Sequence, residues 1–216
     1  MIAALVGAVR APTVAAPARA WLDEQLAAAG DPARFAPAFA AAGRRLGRTP
    51  IGDDDAAAIT AAGLRWPVTG VDECGRAALV LAAIGALPGD RHVAFVRDLV
   101  RRGEVRERQA VLRVLAVLPE PARFVDVAVD ACRNNVETVF GAIACDNDYP
   151  ARHFPAQAFD QMVLKALFIG APVARIAGLA ARTTPELVRM VEAYASERRA
   201  AGRPVPDEVA WFRNPS

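Results

Sequence analysis

Residues 131–170, ACRNNVETVFGAIACDNDYPARHFPAQAFDQMVLKALFIG, decide how this chain is read. Apolar residues recur at helical spacing on both sides of the turn-rich segment CDNDYPARHF, so the stretch reads as helix, loop, helix. Asn, Asp, His, Gln and Lys are concentrated here, inside what otherwise reads as buried helix. A buried polar group costs free energy unless it is paired. The cluster is therefore either a site or a satisfied internal network.

Working outward, helix punctuation is frequent. Ala18 to Ala29 reads as a helix stopped by Gly30. Asp31-Pro32 supplies an N-cap and an N1 proline for a helix through Leu46. Residues 47–70 are the least regular part, with a short helix expected over Asp54 to Ala62. Asp72 is placed to cap a helix reaching Leu87. Pro88-Gly89-Asp90 forms a turn whose Asp caps a helix ending at Gly103. Glu104 to Leu118 follows, and Pro121 opens a helix expected to run unbroken to Asp146. Gln157 to Ile169 is helical and closes on Gly170. Thr184-Pro185-Glu186 starts a long helix terminated by Gly202 and Pro204.

Helices of this length joined by short turns imply antiparallel stacking of neighbours. DPARFAPAFAAAGR at Asp31 to Arg44 resembles EPARFVDVAVDACR at Glu120 to Arg133, a faint repeat. The expectation is an all-α chain folded as an irregular HEAT- or armadillo-like stack of helix pairs, an α-solenoid. Residues 1–216 read as one domain, less regular over 1–70.

Composition agrees with a helical protein. Apolar residues make up 54% and aromatics only 6%. A net charge of +2, with acids and bases interspersed, gives no concentrated basic face for nucleic acid. Lys165 is the one lysine among 26 basic residues. Cys74, Cys132 and Cys145 lack CxxC spacing, which suggests reduced thiols in a cytoplasmic setting. The apolar N-terminus lacks a charged n-region, so it does not read as a secretory signal. No uncharged apolar run reaches the ~18 residues of a spanning helix.

Plotting Phe124 to Ile143 at helical spacing puts Val125, Val129, Cys132, Val136, Val139, Phe140 and Ile143 on one face. Asp126, Asp130, Arg133 and Glu137 line the opposite one, with Arg133 and Glu137 spaced for an i,i+4 pair. Those four read as a solvated stripe. Asn134, Asn135 and Thr138 lie on the flank between, where a second helix layer or a ligand would touch. In the next helix Gln161 and Lys165 share a face of an otherwise apolar surface. A lysine there must snorkel, pair with a carboxylate or meet a ligand, and Asp146, Asp148 and Asp160 are the sequence-near acids. His153 could serve as acid, base or metal ligand. The candidate ligand-binding residues are thus Asn134, Asn135, Thr138, His153, Gln161 and Lys165.

No catalytic signature is present: no phosphate-binding loop, no GxGxxG after a strand, no nucleophile elbow. No HExxH or similar metal spacing occurs either. No catalytic residue, metal or cofactor is expected.

Several motifs nevertheless resemble one family. ACRNN at 131–135, VFxAIA at 139–144, N-x-YP at 147–150, HF at 153–154, QMVLKALF at 161–168 and PEL-x-RM from Pro185 are similar to EboA-type proteins. The resemblance runs from Arg76 to Trp211, is strongest over 131–170, and has one earlier echo in RRLGR at Arg44 to Arg48. Asp148 and Asp160 stand where the family pattern carries Pro and Asn. The resemblance implies a bacterial operon that moves a secondary-metabolite precursor towards the periplasm. It implies partners from the same operon, including a prenyltransferase-like membrane protein, and so membrane association through partners.

Two functions compete. One is a non-enzymatic helical-repeat adaptor or metabolite-binding protein. The other is an enzyme acting on a phosphorylated or prenylated small molecule through Lys165, His153 and an Asp. A nucleic-acid-binding repeat would need Arg44, Arg45, Arg48, Arg101, Arg102 and Arg106 in one ridge, and is not expected.

Overall fold

The computed structural model describes residues 1–65 and 70–213. Among the described residues all regular elements are helical, and the only bridge pairs Pro50 with Gly70. The helices are α1 (Ile2–Val9), α2 (Ala16–Ala27), α3 (Pro32–Leu46), α4 (Asp53–Ala61), α5 (Val71–Ala86), α6 (His92–Arg102) and α7 (Val105–Val114). After these come α8 (Val125–Cys132), α9 (Glu137–Ala144), α10 (Tyr149–His153), α11 (Ala156–Ile169), α12 (Leu179–Arg182) and α13 (Pro185–Ala200).

Helix α5 is the centre of the amino-terminal half because nearly all of its circumference is apolar or small. It packs against α1, α2, α3 and α7, and Val71, Leu79, Val80 and Ile84 are buried. Burying each such side chain contributes about 1.5–3 kcal/mol. The apolar N-terminus belongs to this core: Leu5, Val6, Ala8 and Val9 of α1 are buried, and α1 contacts α4 and α5. From α5 a succession of contacts runs α5 to α7, α7 to α9, α9 to α11 and α11 to α13. Helices α6 and α8 lie against α7 and α9 and against each other.

Local chemistry sets most boundaries. Asp31 accepts a hydrogen bond from the Ala33 amide at 2.9 Å, and Pro32 follows at the first turn. Glu104 and Glu107 form a reciprocal capping box at the start of α7. Thr184 Oγ1 accepts from the Leu187 amide at 3.1 Å before α13. Gly170 ends α11 at φ 73°, a left-handed conformation that glycine adopts without penalty.

Three local readings are corrected. Helix 121–146 is broken: α8 ends at Cys132, and α9 begins only at Glu137. Asn134 Oδ1 accepts from the Val136 amide at 2.8 Å, a local turn that competes with the helical ladder. Arg133 consequently pairs with Asp130 at 2.8 Å rather than with Glu137. Neither Asp72 nor Asp90 is a cap; Gly70 and Arg91 hold those positions. The polar loop after Asp146 contains α10. The two PARF segments also differ in backbone: the first opens α3, whereas the second is a 3-10 turn preceded by Glu120 at φ 49°.

Candidate functional site

Lys165 is the hub of the polar stretch. Helix α11 buries Phe159, Met162, Val163, Ala166 and Leu167, which fixes the lysine stem. Its Nζ then donates to the carbonyls of Cys132 and Asn134, 2.7 Å each, and lies 5.3 Å from the centre of the Phe140 ring. These carbonyls sit where α8 stops. A lysine at a helix C-terminus satisfies orphan acceptors and complements the negative end of the dipole. Cys132 beside it is buried, and burial raises its thiol pKa to about 12 against the opposing pull of Lys165. A thiol so protonated is a poor nucleophile.

The sequence-near carboxylates are engaged elsewhere. Asp146 forms an ion pair with Arg175, and Asp148 pairs with Arg65 at 3.1 Å and Arg152 at 3.2 Å. Asp160 is buried; burial raises its pKa, with Arg182 opposing. Arg182 itself donates to the carbonyls of Ala151 and Phe154, 2.8 Å each, and stacks 4.5 Å from the Phe159 ring centre.

Two hollows open beside Lys165. The larger, about 650 Å³, lies between α11 and α13. Leu164, Phe168, Ile169, Met190, Ala193 and Tyr194 form its walls, with Asn135, Lys165 and Glu197 as polar groups. Phe168 is 68% exposed there, although the helical pattern suggested burial on most sides. The smaller hollow, about 140 Å³, is lined by Gln161 and Lys165 with Val129, Cys132, Arg133, Ala158 and Met162. Asn134 lines a third depression with Arg97, Arg101, Arg108 and Asp130.

The remaining candidates are not gathered here. Thr138 is exposed, and its carbonyl accepts from Gln109 at 3.2 Å. His153 packs on the Tyr149 ring with centres 4.8 Å apart. Burial lowers its pKa, with a further push from Arg152. Neither hollow beside Lys165 includes His153 or an aspartate.

The segment carrying His153 is held by a different network. Asn147 Nδ2 donates to the carbonyls of Leu112 and Ala142 at 3.1 and 2.9 Å, while its Oδ1 accepts from the Tyr149 amide at 2.9 Å. The Tyr149 hydroxyl donates to the Pro121 carbonyl at 2.7 Å. Burial raises that hydroxyl's pKa, with Asp126 adding to the effect. Tyr149→Phe should cost about 1–2 kcal/mol, because the carbonyl loses its donor while the ring still packs. A lowered urea midpoint with unchanged slope checks this.

A second charged cluster went unseen in the sequence. Asp72 is fully buried and accepts from Arg106 through Nε at 2.9 Å and Nη2 at 2.6 Å. Arg76 Nη1 donates to the same carboxylate at 2.6 Å, and Arg76 Nε donates to the Phe39 carbonyl at 3.2 Å. Neighbouring Glu73 lies 2.5 Å from Arg113 Nε. Burial opposes ionisation of Asp72, yet Arg106 and Arg76 together outweigh it and hold the carboxyl below 3.8. For Glu73 burial wins over Arg113, and the pKa rises above 4.5. Gly70 is required by this crowding: an added Cβ would stand 2.6 Å from Asp72 Oδ1 and 3.2 Å from the Arg48 carbonyl. The usable signal was VDECGR itself, with Asp72 and Arg76 four residues apart in an otherwise apolar helix.

Fold and site together define an all-α protein with an apolar-walled hollow beside one internally bonded lysine. Among the described residues no helix is long and apolar enough to cross a membrane. No group of three or more His, Cys, Asp or Glu is placed to hold a metal among them. The chain belongs to the EboA family: the family described as metabolite traffic protein EboA matches residues 2–213, nearly the whole length. No curated protein and no solved structure gives a significant match.

Proposed function

We propose that the protein works without catalysis, holding a metabolite precursor in the hollow between α11 and α13 for partners encoded in the same operon. The observation that carries this reading is the exposed Phe168 in a 650 Å³ hollow with apolar walls and a polar edge at Asn135, Lys165 and Glu197. Small-molecule sites have this volume and this mix of apolar walls with few polar groups. The ligand it suits is amphipathic, with an apolar body against Phe168, Met190 and Tyr194 and a polar end near Lys165 and Asn135. A metabolite-binding role is in keeping with the family's description as a metabolite traffic protein.

The same reading takes the contact order α5, α7, α9, α11, α13, flanked by α6 and α8, as a HEAT-like stack whose surface also meets partner proteins. A membrane protein of the prenyltransferase type is the proposed recipient. Asn134, Thr138, Gln161 and His153 stay secondary ligand candidates on this account, with Asn135 and Lys165 central. An enzymatic alternative through Lys165, His153 and an aspartate draws less support, because these groups do not share a hollow.

Phe168→Asp tests the proposal. The side chain is exposed, so stability should change by no more than about 0.5 kcal/mol. Complementation of the producing strain should nevertheless fail at wild-type protein abundance and thermal midpoint. Full complementation by the variant would overturn the assignment.

A further inference from the structure

A hollow of about 370 Å³ opens above the buried Asp72 cluster, lined by Arg44, Arg48, Arg76, Arg106, Glu104 and Glu107 among others. It shares no lining residue with the hollow beside Lys165. The four guanidinium groups are of two kinds. Arg76 and Arg106 are pinned by Asp72, so their orientation is set before anything binds. Arg76 is 5% exposed. Its Nε and Nη1 are committed, whereas Nη2 lies beneath Gly43, 3.1 Å from where a Cβ would stand, with no acceptor among the described residues. Arg44 and Arg48 are exposed at the rim and have no ion-pair partner among the described residues.

The acids around the hollow are already occupied. The acids at the rim, Glu104 and Glu107, accept from backbone amides in the capping box of α7, and Asp72 is shared by two arginines. With Glu73 paired to Arg113, the four arginines of the hollow stand against Asp72, Glu104 and Glu107, and neither rim arginine, Arg44 or Arg48, has an ion-pair partner among the described residues. Arg106 spends Nε and Nη2 on Asp72, so the pinned pair offers single fixed N–H groups, Nη1 of Arg106 and Nη2 of Arg76, whereas Arg44 and Arg48 keep whole guanidinium forks, which match tetrahedral oxyanions bidentately.

We propose that this arginine hollow binds the phosphate or diphosphate group of a small metabolite. Arg76 and Arg106 form its fixed floor, and Arg44 and Arg48 close on the anion from the rim.

Titrating the full-length protein with sodium pyrophosphate by calorimetry at low ionic strength tests the proposal. The wild type should show saturable one-to-one binding. The Arg44→Gln/Arg48→Gln variant should bind roughly 10-fold more weakly or worse, since charge-assisted donors are lost. Its ligand-free thermal midpoint should stay that of the wild type, because both side chains are exposed and unpaired. Malonate, a carboxylate dianion, should bind more weakly than pyrophosphate. Absence of saturable pyrophosphate binding, equal affinity in the double variant, or malonate binding as tightly as pyrophosphate would each overturn the assignment.

Discussion

Asp72→Asn should be the most damaging single substitution, costing about 3–5 kcal/mol, because it removes the carboxylate shared by Arg76 and Arg106. Arg76 side-chain exposure is only 6%, so its charge cannot regain water without opening the contact between α3, α5 and α7. Native domains have about 5–15 kcal/mol in total, so the variant should sit at or near the folding threshold. Chemical denaturation measures the loss, and a change under about 1 kcal/mol would contradict the assigned role.

Asp72 is held below 3.8 when folded, so its stabilisation is complete above the unfolded value and is lost as pH falls through the folded one. Glu73, raised above 4.5 by burial, acts oppositely: its contribution is present at low pH and is lost as pH rises through its folded value. In the acid region below 3.8 the wild type should therefore lose stability more steeply than Asp72→Asn. Thermal midpoints of the two proteins across that region check the difference.

Lys165→Met should cost about 2–3 kcal/mol. The methionine retains the apolar stem, but the carbonyls of Cys132 and Asn134 lose their donor, and an unsatisfied buried acceptor costs about 1–3 kcal/mol. Lys165 holds the carbonyls at the end of α8 beside the Asn134 turn, so hydrogen exchange should speed up first around Cys132 to Val136. If the hollow works as proposed, Lys165→Met should lower pathway output through abundance as well as through the hollow. Phe168→Asp separates the two effects.

Much of the helical framework was legible because its signals are local. Asp31-Pro32, Thr184-Pro185 and Gly170 are caps whose partners lie within four residues, and α3, α11 and α13 begin and end close to where those residues place them. The break at Arg133 to Val136 was hidden because the apolar pattern of α8 continues in phase into α9, while the cause is one side-chain turn at Asn134. Thr138 was placed on a flank by a helical plot that ran unbroken past Cys132, where α8 stops, whereas Gln161, on α11, does line the smaller hollow with Lys165.

Tertiary chemistry was least legible. Asp72 looked like a cap because its partner Arg106 stands 34 residues away, beyond any local rule. The acids expected for Lys165 were sequence-near, but arginines from other segments, Arg175 and Arg65, reached them first. Exposure of Phe168 depends on how α13 sits beside α11, which periodicity within α11 does not encode.

Ligand retention decides whether the hollow between α11 and α13 carries a metabolite. Native mass spectrometry tests it most directly, using wild-type protein and Phe168→Asp incubated with an organic extract of the producing cells. One small molecule should be retained by the wild type and lost from the equally folded variant. No retained molecule, or equal retention by both proteins, would contradict it.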